Sequence, residues 1–243
     1  IQKNILNLQE YNVDCVGGIM ITLPANKTLL AQSIALALSH PFGVGNSYFR
    51  IGSKEPRLVD TVPFGCYRRE VFKKIGRFDE ELVRNQDDEF NFRLIKNGGK
   101  ILLVPKIVSY YYARGKLSQL FRQYFQYGYF KVRVAQKIGA ILTWRQLIPA
   151  IFVGSLIFTG VVSFFSKLFL WLFLLVAISY FFANFGFSLS IAVKRGIRFF
   201  PSLVVAFATL HFSYGFGYLK GIWDFMICKK HLKKKIKDVP LTR

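Results

Sequence analysis

Apolar and polar positions follow two different patterns along this chain, and the change falls near Trp144. Up to that point apolar residues come in short bursts bounded by turn residues. Asn12 to Ile19 predicts a short buried strand ending in the Gly17-Gly18 pair, and Leu29 to Leu38 an Ala/Leu-rich helix. A glycine-rich loop, His40 to Asn46, precedes strand pattern around Leu58 to Phe64. In Arg69 to Ile75, Val71, Phe72 and Ile75 share one helical face and Gly76 gives the stop signal. The scheme repeats over Glu89 to Asn97: Phe90 and Leu94 lie four apart, Glu89 can pair with Arg93, and Gly98-Gly99 closes the turn. Ile101 to Val104 and Ile107 to Tyr112 read as strands, followed by a helix from about Lys116 to Gln136. Strands alternating with helices make this half α/β.

After Trp144 the apolar residues run together in three blocks, Leu147 to Phe165, Leu168 to Val193 and Phe199 to Leu219. A bilayer core takes roughly 20 apolar residues as helix, because no water is there to satisfy exposed backbone groups. All three blocks qualify, and three in succession exceed what the core of a small soluble protein could cover. Only Lys167 separates the first two, whereas Lys194, Arg195 and Arg198 follow the second, and Lys229, Lys230, Lys233, Lys234, Lys235 and Lys237 follow the third. The positive-inside rule places both basic clusters on the cytoplasmic side, which three full crossings do not allow. The expectation is therefore two crossing helices and a third run, weakened by His211, Gly215, Gly217 and Gly221, that is re-entrant or interfacial.

Composition sharpens this picture. Among 243 residues, 52% hydrophobic, 34 Lys and Arg face 13 Asp and Glu for a formal charge of +21, which excludes an acidic solubilising module and a disordered tail. Cys15, Cys66 and Cys228 are far apart, with no CxxC pair, so neither a disulfide framework nor a zinc site is indicated. Between Tyr110 and Lys137 aromatic residues interleave with Arg114, Lys116, Arg122, Lys131, Arg133 and Lys137. Such a mixture fits single-stranded nucleic acid or a helix lying against an anionic bilayer. With bilayer-length runs a few residues on, the bilayer is the expected partner and nucleic acid is not. Six of the thirteen acids crowd into Asp79 to Glu89, and Asp87 or Asp88 falls where loop becomes helix. A carboxylate there is held ionised by free N–H groups and the helix dipole, although a plain helix cap looks the same.

The run Val62-Pro-Phe-Gly-Cys-Tyr-Arg-Arg-Glu70 on through Gly76-Arg-Phe-Asp-Glu80, then Asn85-Gln-Asp-Asp-Glu-Phe-Asn-Phe-Arg-Leu94 and Gly98-Gly99, resembles the acceptor half of family-2 glycosyltransferases. It is most similar to the succinoglycan-type exopolysaccharide enzymes, over about Val13 to Leu147. The resemblance implies a GT-A-type nucleotide-sugar transferase domain, inversion at the sugar carbon, and a carboxylate base at the position of Asp87. Gln86 stands where many relatives carry Glu, leaving one carboxylate for the task, with Asp88 one register step away. Gly65 and Gln86 become candidate acceptor contacts beside Asp88. Gln119-Leu-Phe-Arg122 resembles part of the Gln-x-x-Arg-Trp motif of processive members. Gln123 replaces the Trp, which argues against processive synthesis and leaves Arg122 as a candidate substrate contact. Gly43-Val-Gly45 lacks the rest of a phosphate-loop fingerprint.

The family also implies a divalent metal, Mg or Mn, on an Asp-x-Asp motif. This chain contains none, so the metal ligands and the donor half are expected ahead of Ile1. The expected organisation is an acceptor-side GT-A half over 1–115, an amphipathic interface helix over 116–144, transmembrane or interfacial helices over 145–225 and a basic cytoplasmic tail over 226–243. The implied protein sits in the cell membrane with its catalytic part cytoplasmic. It moves a sugar from a nucleotide-sugar donor to a glycan or polyprenyl-phosphate-linked acceptor. The alternative is a non-catalytic membrane scaffold or glycan-binding subunit built on the same fold.

Overall fold

The computed structural model describes residues 2–140 and 143–230, so that most of the lysine-rich tail read from the sequence lies outside the described residues. Helix α1 (Gln2–Glu10) leads into strand β1 (Cys15–Leu23), helix α2 (Leu29–Leu38) and two single-turn helices, α3 (Pro41–Val44) and α4 (Tyr48–Ile51). Short strands β2 (Arg57–Leu58) and β3 (Cys66–Tyr67) precede α5 (Arg69–Ile75), α6 (Gln86–Lys96), the long strand β4 (Ile101–Tyr112) and α7 (Leu117–Ile138). Three apolar helices follow, α8 (Ile148–Val162), α9 (Lys167–Arg195) and α10 (Phe200–Gly221), the last continuing as a π-helical turn, Ile222–Ile227. The protein is thus a mixed α/β unit with a small sheet, joined to three helices long and apolar enough to cross a membrane.

Sheet order is β2-β4-β1-β3, with β1 and β4 parallel at the centre and the two short strands antiparallel at the edges. The central strands begin as unbroken apolar runs because both their faces are covered: Cys15, Ile101 and Leu103 pack with Val71, Phe90 and Leu94, while Val16, Leu102 and Val104 pack with Leu8 and Val13. β1 runs past the Gly17-Gly18 pair that the sequence reading took for a turn. A Cβ on Gly18 would lie 1.9 Å from the Ile107 carbonyl oxygen. There pairing jumps from Gly18 with Val104 to Ile19 with Val108, so β4 bulges and the glycine makes room for it. The two strands expected over 101–112 are therefore one. Conversely, the strand expected over Leu58 to Phe64 shrinks to Arg57–Leu58. Pro63 has no N–H to give a ladder, and Phe64 adopts a left-handed φ of 51°.

The apolar helices are not equivalent. α8 and α9 leave Ile151, Phe158, Trp171, Leu175 and Phe182 exposed, the surface a bilayer would cover. α10 is enclosed: Leu203, Phe207 and Leu210 form one core with Ile34 and Leu38 of α2 and Leu120 and Tyr124 of α7. α7 and α10 touch backbone to backbone, since a Cβ on Gly128 would fall 2.2 Å from the Tyr214 carbonyl oxygen and one on Gly217 2.0 Å from that of Phe125. The face of α7 expected to lie on a bilayer is thus largely occupied by α10, and Tyr124 and Phe130 are buried inside protein.

Candidate active site

The start of α6 is held by its neighbours rather than by an ordinary cap. Asn85 takes a left-handed backbone (φ 59°, ψ 29°), makes no side-chain bond to the helix N–H groups, and donates its Nδ2 to the Tyr127 carbonyl of α7 at 3.0 Å. Gln86, exposed, turns back to donate Nε2 to the Leu82 carbonyl at 2.5 Å, which steadies the loop. Asp88 accepts from Lys131 Nζ at 2.5 Å, with the lysine side chain only 8% exposed. Glu89 is buried and chelates Arg93 through Nε and Nη2, both at 2.8 Å, the pairing expected from their spacing.

Asp87 is the exception. It lies in the first turn of α6 and, among the described residues, no ion pair holds its carboxylate. Burial against protein atoms raises its pKa above the ordinary carboxylate value, and the adjacent Asp88 charge raises it further. Lys131 and the N–H groups of Asp88 and Asp87 itself pull the other way without cancelling the rise. The residue is nonetheless solvent-accessible, so a reactant can reach it. A reachable carboxylate with raised affinity for a proton, at a helix end that fixes its direction, has the properties of a general base.

Tyr67 of β3 lies within electrostatic reach of Asp87, and its hydroxyl donates to Asn91 Oδ1 at 2.6 Å, while Asn91 Nδ2 donates to Thr61 Oγ1 at 2.9 Å. Gly65 belongs to this wall. A Cβ there would approach Cys15 Sγ to 2.9 Å and the Tyr67 ring to 3.1 Å, so any side chain would displace the tyrosine. Burial pushes the Cys15 thiol up to about 12, which makes it a packing group and not a nucleophile.

Two of the remaining acids of the 79–89 stretch, Asp79 and Glu81, have a structural task. Lys137 bridges Asp79 and Glu81 at 2.5 and 2.6 Å, and Arg133 Nη2 meets Glu81 at 2.6 Å. With Lys131 on Asp88, three cations of α7 are neutralised within the chain, where the sequence pattern had assigned them to a bilayer. Arg145 makes a further clamp to Asp60 Oδ2 at 2.5 Å and Asn46 Oδ1 at 2.8 Å. Sequence reasoning missed Lys131 and Arg145, which are distant from Asp87 along the chain and without a motif of their own, and it gave no role to Tyr67 and Asn91, although both lie within the quoted motif runs.

Asp87, Gln86 and Asp88 thus come together, and Gly65 joins them through Tyr67. Arg122 does not. It lines an open groove of about 620 Å³ with Leu117, Phe121, Phe125 and Thr209, nine residues and roughly 13 Å along α7 from Lys131. The His40 to Asn46 loop carries the short helix α3 and inserts Phe42 among Phe187, Phe207 and His211, so it serves as an anchor to α9 and α10. Among the described residues no three His, Cys, Asp or Glu side chains come together as a metal site. The described residues do not form a site that fits the divalent ion.

Fold and site together define a membrane-associated α/β protein with a reachable carboxylate at a helix start that, among the described residues, no ion pair holds. No family model matches the chain. Among curated proteins it is similar to the succinoglycan biosynthesis protein ExoA of Rhizobium meliloti (strain 1021), 27% identical over 194 residues, 80% of this chain and 57% of that protein. It is also similar to dolichyl N-acetyl-alpha-D-glucosaminyl phosphate 3-beta-D-2,3-diacetamido-2,3-dideoxy-beta-D-glucuronosyltransferase of Methanococcus voltae, 31% identical over 156 residues, 61% of this chain and 47% of that protein. The chain spans about half the length of the curated relatives it matches. The resemblance drawn from the 62–99 motifs stands, since one relative is by name a succinoglycan biosynthesis protein and the other a glucuronosyltransferase.

Proposed function

We propose that the chain is the acceptor-side part of a membrane-bound, inverting glycosyltransferase of GT-A type. It would move a sugar from a nucleotide-sugar donor to a growing polysaccharide or lipid-linked glycan at the cytoplasmic face. The acceptor hydroxyl oxygen attacks the anomeric carbon as the bond to the nucleotide diphosphate breaks. The leaving group departs with the electron pair, and the hydroxyl proton passes to Asp87. One displacement inverts the carbon. The observation that carries this reading is the contrast at the start of α6: Asp88 and Glu89 are ion-paired, whereas Asp87 is unpaired, reachable and raised in proton affinity. The names of the two relatives support the substrate classes. Asp87→Asn in the full-length protein should cut transfer by roughly 10² to 10⁴ while extraction and elution in detergent stay unchanged. Transfer at the normal rate would remove the base assignment.

A further inference from the structure

At the carboxyl end of β1, the end at which α/β sheets bind ligands, lies a pocket of about 250 Å³. Ile19, Met20 and Ile51 form apolar walls, Thr22, Ser39 and Arg50 supply polar atoms, and no carboxylate lines it. Two of those polar atoms are buried without a hydrogen-bond partner, Arg50 Nη1 and Thr22 Oγ1. The Ser39 hydroxyl is already donated to the Ala35 carbonyl at 2.9 Å. Arg50 is held by its flat faces instead of its N–H edges. Its guanidinium carbon sits 5.1 Å from the Tyr111 ring centroid and 5.5 Å from that of Phe49. A guanidinium fixed by aromatic rings, with a buried N–H and a hydroxyl left over and no counter-charge among the described residues, is a receptor for an anion, and its fork suits phosphate oxygens.

Two connections specify the ligand further. Tyr111 and Tyr127 both accept from Gln123 Nε2 at 3.0 Å, and the carbonyl of Tyr127 takes the Asn85 side chain at the start of α6. Through the Tyr111 ring that faces Arg50, a chain of hydrogen bonds therefore connects the wall of the pocket to the start of α6, the turn that carries Asp87. In the other direction, the α3–α4 segment that carries Arg50 is rooted in the apolar helices through α3: His211 Nε2 bonds the Phe42 carbonyl at 2.7 Å, and the Phe42 ring stacks on Phe187 at 4.6 Å. The volume is below the roughly 300 Å³ at which pockets for whole small molecules begin, so it suits a phosphate headgroup and not a nucleotide sugar. We propose that Arg50 and Thr22 bind the phosphate of a lipid-linked phosphate ester, the anchor of the acceptor, while its glycan reaches Asp87. The anion site stands on its own observations; only the acceptor role rests on the glycosyltransferase reading.

The test is equilibrium binding to the purified chain in non-ionic detergent, with farnesyl phosphate, farnesol and inorganic phosphate as probes. Farnesyl phosphate should saturate a site that farnesol does not fill, and inorganic phosphate should compete at much higher concentration. Arg50→Gln should weaken farnesyl phosphate roughly tenfold to a hundredfold, with Arg50→Lys intermediate. If Arg50→Gln does not elute as folded protein, Thr22→Val carries the test with a smaller loss. Farnesyl phosphate binding unchanged in Arg50→Gln, or in Thr22→Val where that variant carries the test, overturns the site. Inorganic phosphate binding as tightly as farnesyl phosphate overturns its lipid-linked assignment. Asp87→Asn should bind farnesyl phosphate normally, so failure of the base reading would show in turnover without touching this result.

Discussion

Lys131→Met removes the cation between α6 and α7, and its consequences can be worked out from the geometry. The Lys131–Asp88 pair is short, 2.5 Å, and nearly enclosed, with side chains 8% and 21% exposed. Losing one partner of a fully buried pair costs about 3–5 kcal/mol. Asp88 keeps enough exposure to recover part of its hydration, so about 1–3 kcal/mol is expected here, or about 3–10 °C in melting temperature for a chain of this size. A second effect falls on Asp87. Lys131 lowers its proton affinity and Asp88 raises it, so the methionine variant should shift the acidic limb of the pH–rate profile to higher pH. Asp88→Asn should shift it to lower pH. The double variant Lys131→Met/Asp88→Asn leaves no unpaired charge and should regain stability, with a coupling of about 1–2 kcal/mol. Thermal melts followed by circular dichroism in detergent, together with transfer rates of the full-length protein across pH, supply both readouts. Additive melting losses and an unmoved acidic limb would refute the reasoning.

Two more perturbations probe the frame around the site. Gly128→Leu would drive a side chain into the Tyr214 carbonyl, where even a Cβ falls at 2.2 Å, so α7 and α10 should separate; limited proteolysis should cut within α7 of the variant and spare the wild type. Acid should loosen the same helix. Burial acts to raise the Asp79 and Glu81 carboxyls, but Lys137 and Arg133, with the Glu81 N–H on Asp79, hold both below their ordinary 3.8 and 4.5. Groups depressed on folding stabilise above their unfolded values and lose that contribution as pH falls through the folded ones. Protection of α7 amides against hydrogen exchange should therefore be constant from neutral pH down to about 5 and decline below about 4, once intrinsic exchange rates are corrected for.

What the sequence could and could not disclose follows from the range of each interaction. Helices α2, α5, α6 and α7 and the three apolar runs were legible because their signal is local: one face repeating every three or four residues, or a run long enough for a bilayer. The Gly17-Gly18 pair misled because glycine marks both a turn and a close approach, and only the bulge of β4, some ninety residues away, shows which applies. The candidate base was legible through a motif, yet its difference from Asp88 was not, since that depends on Lys131 arriving from another helix. Reading Lys131, Arg133 and Lys137 as bilayer contacts failed for the same reason. Amphipathic spacing says that a face is covered but not by what, and here α10 and the acids at 79–88 cover much of it. Arg50 gave no signal at all, because an arginine in a single-turn helix acquires meaning only when its neighbours leave an N–H unpaired.

The central claim is that one carboxylate, Asp87 and not its neighbour, takes the acceptor proton. Single-turnover transfer of a labelled sugar by the full-length protein, compared between Asp87→Asn and Asp88→Asn at saturating acceptor, tests it most directly. Asp87→Asn should lose roughly 10² to 10⁴, and Asp88→Asn less than about tenfold, since its carboxylate only tunes its neighbour. Comparable losses in both, or the larger loss at Asp88, would contradict it.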